Sequence, residues 1–549
     1  MSDHRIPRTE SAYSYPLLIK QLLHCPLVSC PEQEIIYRDQ LRFTYRDLHE
    51  RVCRLANALL SMGVKAGDTV AVMDWDSHRY LECFFAVPMI GAVLHTVNVK
   101  LSSEQILYTI DHAEDNVLLV HRDFVPIIEQ IKGRIATVDH YILLNDGGEP
   151  LTSSVPFSSE YEQWLAEASP CAEFGDFDEN TRATTFYTTG TTGMPKGVYF
   201  SHRQLVLHTM AVLAALGTPQ QQGRIHQGDV YMPITPMFHV HAWGLPYVAT
   251  ALGVKQVYPG RYSPEMLLEL IDHEQVTFSH CVPTILHMLF KSPHIDNVDL
   301  SRWKVIIGGA AMSRALCAEA LQRGIDIFTG YGMSETCPIL SLAHLDEEML
   351  ALDQTAQVEI RCKTGRTMPL VDVRVVNDKM QEVPRDGQSS GEIVVRAPWL
   401  TQGYLKDTRN SENLWQGGYL HTGDVAVRDN RGYLKITDRT KDVIKSGGEW
   451  ISSLELEDIF SHHPAVAEVA VIAQPDEKWG ERPLALVVLK EGLETPPGKR
   501  DLLALLHEYT ETGVISKQVV LTRVKFVDGI DKTSVGKTDK RTLRDKHLG

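Results

Sequence analysis

The 549-residue sequence has no CxxC pair: its nine cysteines, an odd number, are scattered from Cys25 to Cys362. That pattern fits a reducing compartment and not a disulfide framework. Nor is there a basic excess. Lys+Arg 54 against Asp+Glu 70 gives a formal net charge of -16, so no general attraction to nucleic acid or anionic membrane is expected and any phosphate site must be local. Long apolar runs are missing too: the most apolar stretch, residues 83–97, is interrupted by Pro88, Gly91 and His95 and reads as no membrane span. The opening MSDHRIPRTE lacks the basic-then-apolar pattern of a signal peptide, and the closing HLG matches neither a prenylation nor a sorting tail. Repeats and low-complexity tracts are absent. The expectation is a cytoplasmic protein with no nucleic-acid partner.

What is present is an ordinary globular composition, 43% hydrophobic and 23% charged, on a chain long enough to require two or more domains. Residues 35–37 read as a strand, and Thr44 as a helix cap with Asp47 three positions on and a staple from Phe43 to Leu48. Leu48, Val52, Leu55, Ala56 and Leu59 recur at helical spacing, Gly63 stands at the C-terminal cap, and strand-like TVAVMDW follows. That α/β rhythm returns at WKVIIGGAAMS and GIDIFTGYG. After about residue 370, VDVRVVND, GEIVVRAP and a hairpin around Asn430, Arg431 and Gly432 indicate a small β subdomain. Beyond Asp438, DRTKDVIKSGGEW reads as a charged connector. It leads to a capped helix at Ser452 and Glu455, strands at 466–473 and 483–489, and a helix near 501–510. The fold class is therefore α/β: a large N-terminal domain (1–438) of α/β lobes plus the β subdomain, then a small α+β C-terminal domain (439–549).

Residues 187–198, YTTGTTGMPKGV, combine glycines, hydroxyls and one lysine with no carboxylate. Glycines let backbone N–H groups converge, and hydroxyls and an ammonium add donors, so a phosphate chain is the natural guest. A Walker loop is excluded: Lys196 is followed by Gly197, and Gly536, Lys537 and Thr538 lack the first glycine, Asp531 standing there.

YTTGTTGMPKG resembles the phosphate loop of the adenylate-forming superfamily of acyl-CoA synthetases, peptide-synthetase adenylation domains and luciferases. The resemblance continues in order through PMFHVHAWG, GGAAM, GYGMSET, LHTGD, DRTKDVIKSGGEWIS and KTSVGKTDK, across most of the chain. It implies a two-step chemistry. A carboxylate is a poor electrophile until joined to the α-phosphorus of ATP, and pressing two anions together requires cations where charge accumulates. By resemblance, the catalytic residues are Lys537, the adenylation lysine, with His239 and Glu335; Mg²⁺ is held by Glu335 and Thr188. ATP is expected on Thr188, Thr189, Gly190, Thr191, Thr192, Gly193, Lys196, Gly309, Ala310, Thr329, Gly330, Tyr331, Gly332, Ser334, Asp424, Arg439, Lys445 and Trp450. Within that set Tyr331 packs on adenine and Asp424 accepts from both ribose hydroxyls. The C-terminal domain is expected to swing about Lys441, presenting Gly447, Gly448 and Glu449 to coenzyme A.

MFHVHAWGLP looks closest to medium- and long-chain fatty acyl-CoA synthetases, with Trp243, His239, Gly308 and Met333 as the acyl pocket. The HxH pair, with no third ligand nearby, reads as structural and not as a metal site. Thr235 and Pro236 offer no aspartate for an amino acid's amine. The alternatives are an aryl (coumarate-type) or other short-acid CoA ligase and a carrier-protein acyl-adenylating enzyme. An ATP hydrolase or a non-enzymatic nucleotide module fits less well. Three positions depart from the family pattern: Asp531 for proline, Ser334 for threonine and Thr329 for glutamine. A greasy substrate is compatible with transient membrane contact, and the oligomeric state is left open, a homodimer included.

Overall fold

Thr44 accepts from the Asp47 amide while the Asp47 carboxylate accepts from the Thr44 amide, so the helix Tyr45–Ser61 starts on a reciprocal cap. It stops at Met62, with Gly63 at φ 95 beyond it, as the sequence predicts. This helix leads into the first of two large sheets. The protein is described by a computed structural model covering residues 4, 6–148, 151–188, 194–446, 449–490, 492–493, 495–511, 522–533 and 538–548, with Glu449, Trp450 and Glu508 described by backbone alone.

The seven-stranded sheet runs Phe157–Glu160, His140–Leu144, Asp115–His121, Thr69–Met73, Val93–Thr96, Arg182–Thr188, Lys196–Ser201. All neighbours are parallel except the last pair, which is the antiparallel hairpin bearing the glycine-threonine stretch. The nine-stranded sheet has a parallel centre, Asp326–Gly332, Lys304–Ile307, Phe278–Cys281, Val230–Pro233, Lys255–Tyr258 and Glu34–Tyr37, with antiparallel strands at its edges. Alternation along these strands serves two cores. Ile306 and Phe328 face the apolar layer shared with the seven-stranded sheet, whereas Val305, Ile307 and Ile327 pack with Trp303 and Leu267 on the far side.

Asp372–Val376, Ser390–Arg396, Tyr419–Arg428 and Leu434–Arg439 form an antiparallel β unit, its predicted hairpin closed by the Gly432 amide bonding to the Asp429 carbonyl at 3.0 Å. Strands after Arg439 build a separate sheet: Glu449–Ile451, Ile444–Ser446, Gly480–Leu489, Val466–Asp476 and Arg523–Phe526. Here the connector reading is corrected. Ile444 and Ile451 face each other across an antiparallel pair and join the C-terminal core with Leu456 and Phe460. Three residues per strand between charges are too short to show a period. The Ser452 cap on the helix Ser453–Ser461 is as expected. That helix meets the N-terminal part through Arg314, which pairs with both Asp458 and Glu359. Among the described residues no helix is long and apolar enough to cross a membrane.

Candidate active site

Ligand sites in open parallel sheets lie outside the carboxyl ends of the strands. In the nine-stranded sheet those ends are Pro233, Cys281 and Ile307, followed by Gly308, Gly309 and Ala310, while Asp326–Gly332 continues past them. Gly309 and Ala310 are exposed. Gly332 must be glycine, since a Cβ there would sit 1.8 Å from the Pro338 carbonyl oxygen.

The β unit delivers its residues onto this edge. The buried Tyr331 hydroxyl donates to Asp424 Oδ2 at 2.8 Å, and Arg439 Nε lies 3.1 Å from Oδ1 of the same carboxylate. Asp424 and Arg439 are register partners on neighbouring strands, which fixes that geometry. Burial, then the Asp424 charge, raise the Tyr331 hydroxyl well above its ordinary pKa. Burial opposes the Arg439 charge, but Asp424 and Tyr331 outweigh it and leave the guanidinium more firmly protonated. Thr329 is buried, with its hydroxyl donating to the Arg361 carbonyl at 2.8 Å.

Ser334 and Glu335 sit on a short 3₁₀ turn after Met333. Glu335 is buried; its Oε1 accepts from the Tyr404 hydroxyl at 2.7 Å and its carbonyl from the Thr401 amide at 3.0 Å. Lys196, paired in register with Thr188, places its ammonium 4.6 Å from the Tyr404 ring centroid. The Leu405 amide donates to the Gly197 carbonyl at 2.8 Å, so the segment around Tyr404 covers the edge strand of the seven-stranded sheet. Lys196 and Glu335 thereby meet one tyrosine, with Thr188 across from Lys196 in register.

On the other side of Gly308 the chain turns left-handed: Val240, His241, Ala242 and Trp243 have φ of 48, 55, 48 and 59, and Gly244 has 73. Four such non-glycine residues cost roughly 1–2 kcal/mol each, a strain tolerated where packing over-determines the backbone. The turn aims the Trp243 indole at Gly308: a Cβ there would lie 2.8 Å from Trp243 Cη2 and 2.9 Å from the Gly330 oxygen. His241 points inward among Phe84, Phe186, Phe200 and Tyr247, and among the described residues neither ring nitrogen has a hydrogen-bond partner. Burial pushes its pKa down to about 3. It is a core aromatic, whereas His239 is half-buried beside the turn. Met333, also half-buried, packs against the shared core.

Arg439 leads directly to Lys441, whose ammonium is held below its usual pKa by burial and then by Arg439. The Lys445 amide donates to Glu481 Oε2 at 2.7 Å. Thr189, Gly190, Thr191, Thr192, Gly193, Gly447, Gly448 and Lys537 lie outside the described residues, as do the side chains of Glu449 and Trp450.

Residues 28–405 match the family model of the AMP-binding enzymes, and residues 455–537 that of the AMP-binding enzyme C-terminal domain. The chain belongs to this adenylate-forming family. It is 39% identical over 514 residues to a long-chain-fatty-acid–CoA ligase of Thermus thermophilus, covering 92% of this chain and 90% of that protein. It is 38% identical over 496 residues to a 3-methylmercaptopropionyl-CoA ligase of Ruegeria pomeroyi, covering 90% and 89%. A crystal structure of an anthranilate CoA ligase with anthranoyl-AMP matches with a TM-score of 0.83 at 23% identity, over 97% of this chain and 98% of that one. The chain is an AMP-forming acid–thiol ligase.

In this AMP-binding enzyme two contacts of the site went unread in the sequence. Tyr404, in the unremarkable GYLKD, touches both the Glu335 carboxylate and Lys196. His280, on the strand Phe278–Cys281, packs against Trp243 with the rings tilted by 37°. Neither carries a local pattern; only the sheet order brings each to the crevice.

Proposed function

We propose that the protein activates a medium- or long-chain fatty acid in two steps, using a nucleotide- and acyl-binding domain at 1–438 and a mobile domain at 439–549. A carboxylate oxygen of the acid attacks the α-phosphorus of ATP, the bond to the bridging oxygen breaks and pyrophosphate leaves. The thiol of coenzyme A then attacks the acyl carbonyl carbon, forming the thioester and releasing AMP. Tyr331 packs on the adenine, Asp424 with Arg439 receives the ribose, and Lys196 with the 189–193 stretch receives the phosphates. Each Asp424 oxygen retains a second lone pair beyond its bond to Tyr331 or Arg439, so the carboxylate can still accept a sugar hydroxyl.

The donors near the phosphates suit a hard cation: Glu335 spends one oxygen on Tyr404, leaving the other, and Thr188 adds a hydroxyl. Mg²⁺ held there would neutralise phosphate charge. Lys537 supplies the positive charge between carboxylate and α-phosphate, and Gly447, Gly448 and Glu449 meet the thiol after the domain turns about Lys441. A cytoplasmic location belongs to this reading, supported by the scattered cysteines and acidic balance.

One observation carries the fatty-acid reading: a tryptophan lid lies directly on Gly308, beside the strand that bears Tyr331. Such an apolar closure suits an alkyl chain. The Ruegeria pomeroyi relative favours a second reading, a shorter acid. ATP–pyrophosphate exchange over acids of graded length, cinnamates included, separates the two. Exchange should rise over C8 to C16, with about 0.8 kcal/mol gained per buried methylene. A preference for cinnamates or for acids below C6 overturns the fatty-acid reading. Lys537→Ala should lose exchange with every acid.

A further inference from the structure

The segment that leads into the left-handed turn is gripped from the opposite sheet. Thr96, at the carboxyl end of the strand Val93–Thr96, donates its hydroxyl to the Phe238 carbonyl at 2.9 Å. Asp76, just beyond the neighbouring strand Thr69–Met73, accepts the Met237 amide on Oδ1 at 2.6 Å. Both side chains are buried, and Asp76 is itself fixed by the Gly260 amide, which donates to its carbonyl at 2.8 Å. Two successive residues are thus held by two side chains of the seven-stranded sheet, immediately before His239. From the nine-stranded sheet, the His280 carbonyl accepts the Thr235 amide at 3.2 Å.

The grip has something to resist. Val240, His241, Ala242 and Trp243 are all left-handed, a conformation that L-residues keep only where neighbours over-determine the backbone. The turn's own hydrogen bonds run from the Ala242 amide to the His239 carbonyl at 3.1 Å and from the Gly244 amide to the His241 carbonyl at 3.0 Å. They shape the turn without placing it. Contacts from outside do that, and polar ones set direction as well as distance.

We propose that Asp76 and Thr96 are positioning residues for this turn, acting through the Met237 and Phe238 backbone to place His239 and the Trp243 indole for the acid. The proposal rests on the acid-activating reading above but not on the acid being aliphatic, because the grip is on backbone atoms. Removing either side-chain partner leaves a buried backbone group unsatisfied, and the strained turn is the part free to relax.

The test compares Thr96→Val, Thr96→Ser, Asp76→Ala and Asp76→Asn in the full chain by two measurements. The first is amide hydrogen exchange over residues 237–244 without substrate. Thr96→Val and Asp76→Ala should speed it about tenfold, while Thr96→Ser, which keeps the donor, and Asp76→Asn, which keeps the acceptor, stay within about twofold of wild type. The second is ATP–pyrophosphate exchange with the acid that the wild type uses best. KM for the acid should rise about fivefold or more in Thr96→Val and Asp76→Ala and recover in Thr96→Ser and Asp76→Asn, with KM for ATP within about twofold throughout. A general loosening of the fold would move both KM values together. If Asp76→Ala does not fold, the two Thr96 variants carry the comparison. Unchanged amide exchange in Thr96→Val overturns the proposal, as does an equal rise in both KM values, faster exchange with an unmoved KM for the acid, or no recovery in Thr96→Ser. If the wild type activates no acid, the acid-activating reading fails, while the amide exchange still decides whether the two side chains hold the turn.

Discussion

The Tyr404 hydroxyl donates to Glu335 Oε1 at 2.7 Å while the Tyr404 ring carries the Lys196 ammonium on its face, 4.6 Å from the centroid. One side chain thus orients a buried acid and a cation that reach it from different sheets. A hydrogen bond to a charged group contributes about 1.5–3 kcal/mol. Tyr404→Phe should lower ATP–pyrophosphate exchange by roughly tenfold or more and raise the Mg²⁺ concentration needed for half-maximal rate, with some loss of thermal stability. An unaltered Mg²⁺ dependence would remove Tyr404 from the site.

Gly308 has no room for a side chain. A Cβ would stand 2.8 Å from Trp243 Cη2 and 2.9 Å from the Gly330 oxygen. Gly308→Ala should cost about 1–3 kcal/mol in denaturant unfolding. Adding Trp243→Ala should relieve only part, because the Gly330 carbonyl is backbone and stays. Full recovery in the double variant would mean the indole alone is responsible.

Buried histidines and carboxylates set the pH dependence of stability. Burial pushes His208, His241 and His280 down to about 3, against about 6.5 in an unfolded chain. Between those values the unfolded state binds a proton the folded state does not, so each costs about 1.4 kcal/mol per pH unit as pH falls below 6.5. Asp76 acts oppositely: burial raises it to about 8, the folded state holds the extra proton between about pH 4 and 8, and stability falls as pH rises through that window. His202 and His344, pushed down to about 4 by burial, add to the loss on the acid side, and Asp115, Asp438, Glu455 and Glu457, raised by burial, act in the same direction as Asp76, so the thermal midpoint passes through a maximum between the two limbs. Asp76→Asn should flatten the alkaline side while keeping an acceptor for the Met237 amide, which lies 2.6 Å from Oδ1. His241→Phe, in its all-aromatic surroundings, should make the acid slope shallower. A midpoint independent of pH from 5 to 8 would refute this assignment.

The hinge reading separates the two half-reactions. Lys441 follows the strand that carries Arg439, and proline there fixes φ and restricts the preceding residue. Lys441→Pro should leave adenylation largely intact and cripple thioester formation, measured by exchange and by acyl-CoA release. Equal loss in both would refute it.

Much of the architecture was legible along the chain. The Thr44 cap, the strands at 304–307 and 326–332, the hairpin at 429–433 and the Ser452 cap all appear where local patterns place them, because each depends on residues a few positions apart. The strands Ile444–Ser446 and Glu449–Ile451 did not, since charges interrupt them before a period can form. The loop composition and the ordered motifs also led to the right family, which depends on residue types and not on their distances.

What the sequence determined by itself was the family, through ordered motifs rich in glycines, hydroxyls and cations that suit a phosphate chain, and the alternation that makes an α/β fold. Tertiary structure alone decided which side chains face one another: Tyr404 on Glu335, Trp243 on Gly308, His280 against Trp243. Those pairs are 69, 65 and 37 residues apart (404 − 335, 308 − 243 and 280 − 243). Strand order and a left-handed turn bring them together, and neither is written in any local period of the chain.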